Sequence, residues 1–180
     1  MSYTGNFADA PSNAFNNWVD MVAYTGTFYY NGSDKTRGTS AIPEGWVVVS
    51  PLCFTAEEYN STVAMPENGS APAVSLEYST DGNTWSSFEV GTTTVTLAKK
   101  GDKMYMRATS AGNSEICNMD GQNQFYMSGR IAASGNVDTL LDQNGNATLT
   151  DYCYYGLFQD CSSLTTAPEL PATTLAYGCY

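Results

Sequence analysis

Residues 73–108 read AVSLEYSTDGNTWSSFEVGTTTVTLAKKGDKMYMRA, and this stretch determines the fold class. It contains four runs rich in aromatic and β-branched residues, separated by turn-forming residues such as Asp81-Gly82 and Gly91. Short runs with a turn about every eight to twelve positions are typical of an antiparallel β-sandwich or barrel. The four predicted strands are Ala73–Ser79, Trp85–Val90, Thr93–Leu97 and Lys103–Ala108.

The same pattern continues in both directions, so that residues 51–134 form one predicted antiparallel β-sandwich domain. Within the predicted strand Ala73–Ser79, the apolar side chains of Val74, Leu76 and Tyr78 alternate with polar residues. This alternation predicts one buried face and one solvated face. The additional predicted strands are Leu52–Thr55, Thr62–Met65 and Gln124–Ile131.

The segment 1–50 has a different pattern, which predicts a short helix followed by a hairpin. Ser12 is suited to cap a helix in which Phe15, Trp18, Val19 and Val22 share one apolar face. That face has two interpretations: packing on its own domain, or docking on a partner or on further copies of the chain. The two strand-like runs of the hairpin extend from Thr25 to Tyr30 and from Gly45 to Val49.

Residues 135–180 differ again, because a short pattern recurs in them. Tyr152-Cys153-Tyr154 is echoed by Gly178-Cys179-Tyr180, which places Cys153 and Cys179 26 residues apart. A period of that length predicts the start of a solenoid, in which each turn of chain stacks on the one before. Because roughly three turns are needed for a stable stack, we expect the repeats to continue beyond Tyr180.

The motif Phe158-x-x-Cys161-x-x-Leu164, followed by Leu170-Pro171 and Leu175, resembles the BspA-like leucine-rich repeat. The preceding β region is similar to the domain that often precedes those repeats, so that the resemblance covers about residues 52–180. Such proteins occur on gut Bacteroidetes and in the crAss-like phages that infect them. The resemblance implies an extracellular recognition or adhesion protein without catalytic activity. It also implies a buried repeat core made of Phe158, Cys161, Leu164, Leu170 and Leu175.

Composition excludes several classes of function. The formal charge is −11, from 7 basic and 18 acidic residues, and so acidic a surface repels nucleic acids. The chain has no His, which removes the Ser/His/Asp and Cys/His nucleophilic arrangements and the commonest zinc ligand. The adjacent carboxyl groups of Glu57 and Glu58 point to opposite faces of an extended chain, so they are no acid/base pair. We therefore expect no enzyme activity, no cofactor and no metal.

The five cysteines, at positions 53, 117, 153, 161 and 179, lack the close spacing of a metal or redox motif. Cysteine is among the most buried residue types, and buried free thiols are the first interpretation. One or more disulfides, or a metal site, remain open as alternatives.

Trp85 and Tyr78 are the candidate glycan contacts. The stretch from Ser79 to Trp85 reads STDGNTW and is similar to hairpins of glycan-binding domains, but Asp81-Gly82 also predicts an ordinary tight turn. Asp142 opens a stretch similar to a calcium loop, yet Ala147 stands where the template requires Gly. We therefore expect a polar connection there, with a weak structural cation as the alternative.

Together these observations favour a bacteriophage virion surface protein, of the head-fibre or decoration type. In that hypothesis residues 1–50 anchor the chain to virion shell proteins through the predicted helix, and the repeats bind a host-surface protein or glycan. The first thirty residues lack the basic start and apolar run of an export signal, and no membrane segment is visible. Oligomers are expected, with a trimer favoured. The alternatives are a bacterial cell-surface adhesin and a carbohydrate-binding module of a larger enzyme.

Overall fold

The computed structural model describes residues 26–29 and 46–180, with side chains described from Val49 onward. The chain divides into two compact units, Met1–Ser50 and Pro51–Tyr180. Its described part is mostly β, with eleven strands and one 3-10 helix. The strands are β1 (Gly26–Tyr29), β2 (Trp46–Val49), β3 (Leu52–Ala56), β4 (Ser61–Ala64), β5 (Leu76–Ser79), β6 (Ser86–Phe88), β7 (Thr94–Leu97), β8 (Lys103–Ala108), β9 (Tyr126–Ser128), β10 (Ile131–Ser134) and β11 (Leu164–Thr166).

In the first unit, β1 and β2 pair with each other, and Gly26 lies opposite Trp46. The pairing is parallel, so the predicted hairpin is wrong. A hairpin joins antiparallel strands through a short turn, whereas residues 30–45 are long enough for the crossover that a parallel pair requires. The predicted helix lies outside the described residues.

The second unit contains a six-stranded sheet and a three-stranded sheet. The larger sheet has the order β11-β10-β3-β8-β5-β6, and the smaller one the order β7-β4-β9. All neighbours are antiparallel except β10 and β11, which run in the same direction. Five of the seven strand pairings join strands that are not consecutive in the chain, so most of this sheet structure depends on contacts between distant residues.

One buried core connects the two sheets. Phe54 of β3 and Val63 of β4 are both fully buried, and both belong to the same apolar cluster. The rings of Phe54 and of Phe125, which precedes β9, pack edge to face with 4.9 Å between centroids. Alternation places Met104 and Met106 of β8 in this cluster as well, because successive strand residues face opposite sides of the sheet.

The strands of the predicted sandwich are present, with one correction. The segment Gln124–Ile131 is not one strand but two, since β9 ends at Ser128 and β10 begins at Ile131. Gly129 separates them with a φ of +80°, and a Cβ there would lie 2.5 Å from the Ser61 hydroxyl. This glycine lets the chain leave the small sheet and enter the large one.

Residues 135–180 lie in the same compact unit as residues 51–134. A 3-10 helix, Val137–Leu140, follows β10, and the Asn136 side chain caps it by accepting from the Asp138 N–H at 2.7 Å. A series of turns then leads to β11, which pairs in parallel with β10. The last residues of the chain form turns and isolated bridges without a regular strand.

Candidate functional site

Three hydrogen bonds converge on the Asp81 carboxylate in the turn between β5 and β6. One oxygen of the Asp81 carboxylate accepts from the backbone N–H of Thr84 at 2.7 Å and of Asn83 at 2.8 Å. The Ser79 hydroxyl donates to the same oxygen at 2.8 Å. These hydrogen bonds, chiefly that from Thr84, hold the pKa of Asp81 far below its ordinary value. The geometry is that of a side-chain-stabilised turn, as Asp-Gly predicts.

Trp85 and Tyr78 do not come together. The guanidinium of Arg107 lies 3.8 Å from the centroid of the Trp85 ring, and its Nε donates to Glu77 at 2.6 Å. Arg107 therefore covers one face of the indole. The rings of Tyr78 and Phe88 pack edge to face with 6.0 Å between centroids, on the core-facing side of the sheet. Strand alternation places Arg107 on the other side, so the two candidate glycan contacts lie on opposite faces.

The predicted repeat core is only partly buried. Phe158 stacks on Phe125 with centroids 5.2 Å apart, and the Cys161 thiol donates to the Phe125 carbonyl at 3.1 Å. Leu164 is half-buried against the same core. The other two predicted members, Leu170 and Leu175, differ from the expectation, because they are 52% and 64% exposed.

Three successive segments, 116–137, 153–169 and 177–180, lie alongside one another. Cys117 N–H donates to the Cys153 carbonyl at 2.8 Å, and further along Phe125 N–H donates to the Leu157 carbonyl at 2.9 Å. The pairing of β10 with β11 continues this contact. Each partner advances in the same direction along the chain, so the segments are parallel.

Residues 177–180 lie in register alongside residues 152–154, at the start of the second segment. Tyr152 N–H donates to Tyr177 O at 2.9 Å, and Tyr154 N–H donates to Cys179 O at 3.0 Å. The rings of Tyr154 and Tyr180 stack at 5.6 Å with an interplanar angle of 9°. The 26-residue spacing seen in the sequence therefore corresponds to equivalent positions lying one above the other.

A column of thiols runs through the same region. Cys117, Cys153 and Cys179 are buried, and the Cys153 thiol lies 3.8 Å from the Cys179 carbonyl. All five cysteines are free, and Cys161 is the one that is only half-buried, so the predicted buried free thiols are confirmed. Burial raises the pKa of Cys117 to about 12 and that of Cys153 to about 11. These thiols therefore act as small apolar side chains and not as nucleophiles.

A buried carboxyl group lies beside this column. Asp138, in the 3-10 helix, is 3% exposed and accepts from the Tyr154 hydroxyl at 3.1 Å. Burial raises the pKa of Asp138, and burial also raises that of Tyr154. The pair is a polar contact that fixes the 3-10 helix against the second segment.

A cleft that the sequence did not predict opens beside β9. Its volume is about 630 Å³, and three distant parts of the chain line it: residues 66–69, residues 122 and 124–127, and residues 159–162. Tyr126 at its edge is 65% exposed. The glutamine and aromatic residues around Tyr126 are the sequence signal that could have indicated this cleft. Its walls come together only through the fold.

Among the described residues, two other sequence candidates are a surface ion pair and a polar turn. Glu57 pairs with Arg130 at 3.4 Å on the surface. The Asp142 carboxylate accepts from the Asn144 N–H at 3.0 Å, which makes the stretch from Asp142 a turn, as expected for a polar connection.

Among the described residues, no three Cys, Asp or Glu side chains are grouped so as to hold a metal ion. Nor do those residues contain a helix with the length and apolar character of a membrane span.

Comparisons of the chain with protein-family models, with curated proteins and with solved structures find no match.

Proposed function

We propose that this chain is a non-enzymatic surface protein of a bacteriophage particle, of the head-fibre or decoration type. In this proposal residues 1–50 attach it to the virion shell through the apolar helix face of Phe15, Trp18, Val19 and Val22. Stacked repeats that begin in residues 135–180 contact a protein or glycan of the host surface. Several copies associate, with a trimer favoured.

The parallel stacking of residues 116–137, 153–169 and 177–180 is the observation that carries the proposal. Tyr154 over Tyr180 and Cys153 over Cys179 are the contacts of a repeat whose equivalent positions form columns. Stacked repeats make elongated proteins with large lateral surfaces, which suits attachment and adhesion more than catalysis. The resemblance of the same residues to the BspA-like repeat supports this interpretation.

In this proposal the β fold is an antiparallel sandwich that continues into a leucine-rich-repeat solenoid. The sandwich supplies the first layer of the stack, because β10 pairs with β3 on one side and with β11 on the other. A stack of repeats needs a folded unit at its end to cover its apolar surface. Under this proposal a neighbouring layer of the stack covers Leu170 and Leu175, which are 52% and 64% exposed.

Mass spectrometry of intact phage particles, purified from a culture that expresses this chain, tests the proposal. We expect its peptides in a fixed ratio to those of the shell proteins. Recovery from bacterial outer-membrane fractions and not from particles would overturn the virion assignment in favour of a bacterial adhesin.

The anchoring role has its own matched pair of variants. Trp18→Ala removes the largest side chain of the predicted helix face, whereas Asn17→Ala changes its polar neighbour. We expect Trp18→Ala to reduce incorporation into particles and Asn17→Ala to leave it unchanged. Equal incorporation of both variants would show that this helix face does not attach the chain.

A further inference from the structure

We propose that the cleft lined by residues 66–69, 122 and 124–127, and 159–162 binds a neutral oligosaccharide, with Tyr126 as the ring on which a sugar packs. This inference rests on the adhesive function proposed above and gives that function a site and a ligand class. The volume of the cleft is about 630 Å³, which falls within the range of small-ligand sites, about 300–1,000 Å³.

Tyr126 has the properties of a stacking platform. Strand alternation turns its neighbours Phe125 and Met127 into the core, where they are 2% and 8% exposed, and leaves Tyr126 65% exposed. Its partner across the sheet is Ala64, whose short side chain covers little of the ring. A tyrosine ring offers an apolar face with a hydroxyl at one end, which matches a pyranose ring with an apolar face and polar edges. The β-strand fixes the backbone, so little order has to be gained on binding.

The cleft walls carry amide groups. Gln124 donates from its amide nitrogen to the Gln159 carbonyl, and Asn68 donates to the Gln122 carbonyl at 3.4 Å. These contacts tie the walls to each other before any ligand arrives. Within the described chain, the Gln122 side chain and the amide oxygen of Gln124 make no hydrogen bond. A primary amide both donates and accepts, and this suits neighbouring sugar hydroxyls, which do the same.

Charge selects a neutral ligand. The acidic residues that line the cleft are Glu67 and Asp160, and no Lys or Arg of the described residues lines it. The chain as a whole carries −11. A uronic acid, sialic acid or phosphorylated glycan would therefore meet like charge at close range without a compensating cation. Purely apolar ligands fit poorly, because the apolar floor residue Phe125 is almost fully buried.

The test is calorimetric titration of the full chain with neutral hexasaccharides of glucose, mannose and galactose, and with hexagalacturonate as the anionic counterpart of the galactose probe. We expect millimolar or tighter binding of at least one neutral probe and none of hexagalacturonate. Tyr126→Ala and Gln122→Ala should each weaken that binding at least tenfold. Tyr59→Ala is the matched control, since Tyr59 is 72% exposed and does not line the cleft. Circular dichroism melts of all variants show whether each one folds.

Three results would overturn the proposal: no binding of any neutral probe at millimolar concentration, preference for hexagalacturonate, or unchanged binding in a folded Tyr126→Ala variant. A loss of binding in Trp85→Ala with full binding in Tyr126→Ala would move the site to the other candidate. Particle mass spectrometry does not depend on glycan binding, so failure of this site and failure of the virion assignment are separate outcomes.

Discussion

Gly121 packs directly on the backbone of another loop, and adding one methyl group there should destabilise the second unit strongly. A Cβ at this position would lie 2.4 Å from the Ser70 carbonyl carbon and 2.5 Å from the Ala71 nitrogen. Both loops are held by hydrogen bonds. Asn118 accepts from the Gly121 N–H at 3.0 Å, and Ala71 N–H donates to the Asn68 carbonyl at 2.9 Å. Neither loop can therefore retreat without losing such a contact.

The expected magnitude follows from these distances. Optimal contacts between carbon atoms are about 3.5–4.0 Å long, so the loops must separate by about 1 Å. Overpacking costs about 1–3 kcal/mol, and rigid backbone on both sides places Gly121→Ala near the upper end, at about 3 kcal/mol. Gly69→Ala is the matched control, because no atom of the described residues lies within 4 Å of a Cβ built at Gly69. We expect that variant to stay within about 0.5 kcal/mol of the parent chain.

Urea unfolding, followed by near-ultraviolet circular dichroism of the aromatic core, measures this difference. With a slope of about 2 kcal/mol per molar urea, Gly121→Ala should lower the unfolding midpoint by about 1.5 M. Gly69→Ala should leave the midpoint within about 0.3 M of the parent value. A midpoint for Gly121→Ala as close to the parent as that of the control would refute the steric argument.

Three further predictions concern titratable groups. Cys117 and Cys153 have raised pKa values, so these thiols should resist Ellman's reagent near neutral pH in the folded chain. Half-buried Cys161 should react first, and all five thiols should react in guanidinium. Rapid reaction of Cys117 in the folded chain would contradict its assigned burial. The pKa of Asp81 is lowered from 3.8, so its contribution to stability is present above that pH and disappears as the pH falls. Asp81→Asn keeps an acceptor but does not titrate, so the variant should be less stable than the parent at neutral pH and converge with it in acid; a constant difference across that range would contradict the linkage. The pKa of Asp138 is raised from 3.8 by burial, so its ionisation costs stability as the pH rises through the folded-state value. Asp138→Asn should therefore raise the thermal midpoint more at neutral pH than in acid, and the reverse order would show that the carboxylate is stabilised in the fold.

Local patterns predicted the strands well where alternation and turns were clear. The predicted strand Lys103–Ala108 has the same bounds in the structure. Its alternating Met104, Met106 and Ala108 face the core, and Gly101 with a φ of +92° ends the preceding turn. The Asp81-Gly82 turn likewise follows from residues that are adjacent in sequence. Residues that are adjacent in sequence are enough to predict such features.

Features that depend on distant contacts were not predictable in the same way. The run that continues across Gly129 looks like one strand, because nothing adjacent in sequence shows that Ser61 lies against that glycine. Tyr126 could not be recognised as exposed, since Phe125 and Met127 are apolar too and only the pairing with β4 decides which faces the core. The opposite orientation of Trp85 and Tyr78 has the same origin.

The parallel contact of β10 with β11 has a mechanical consequence. β11 is three residues long and lies at the edge of the large sheet, whereas β3 and β8 lie within it. A pull on residues 177–180 along the stacking direction would break the hydrogen bonds of each layer one after another, beginning with the last. The stacked segments would thus unfold one at a time and absorb mechanical work, while the sheets around Phe54 keep their structure.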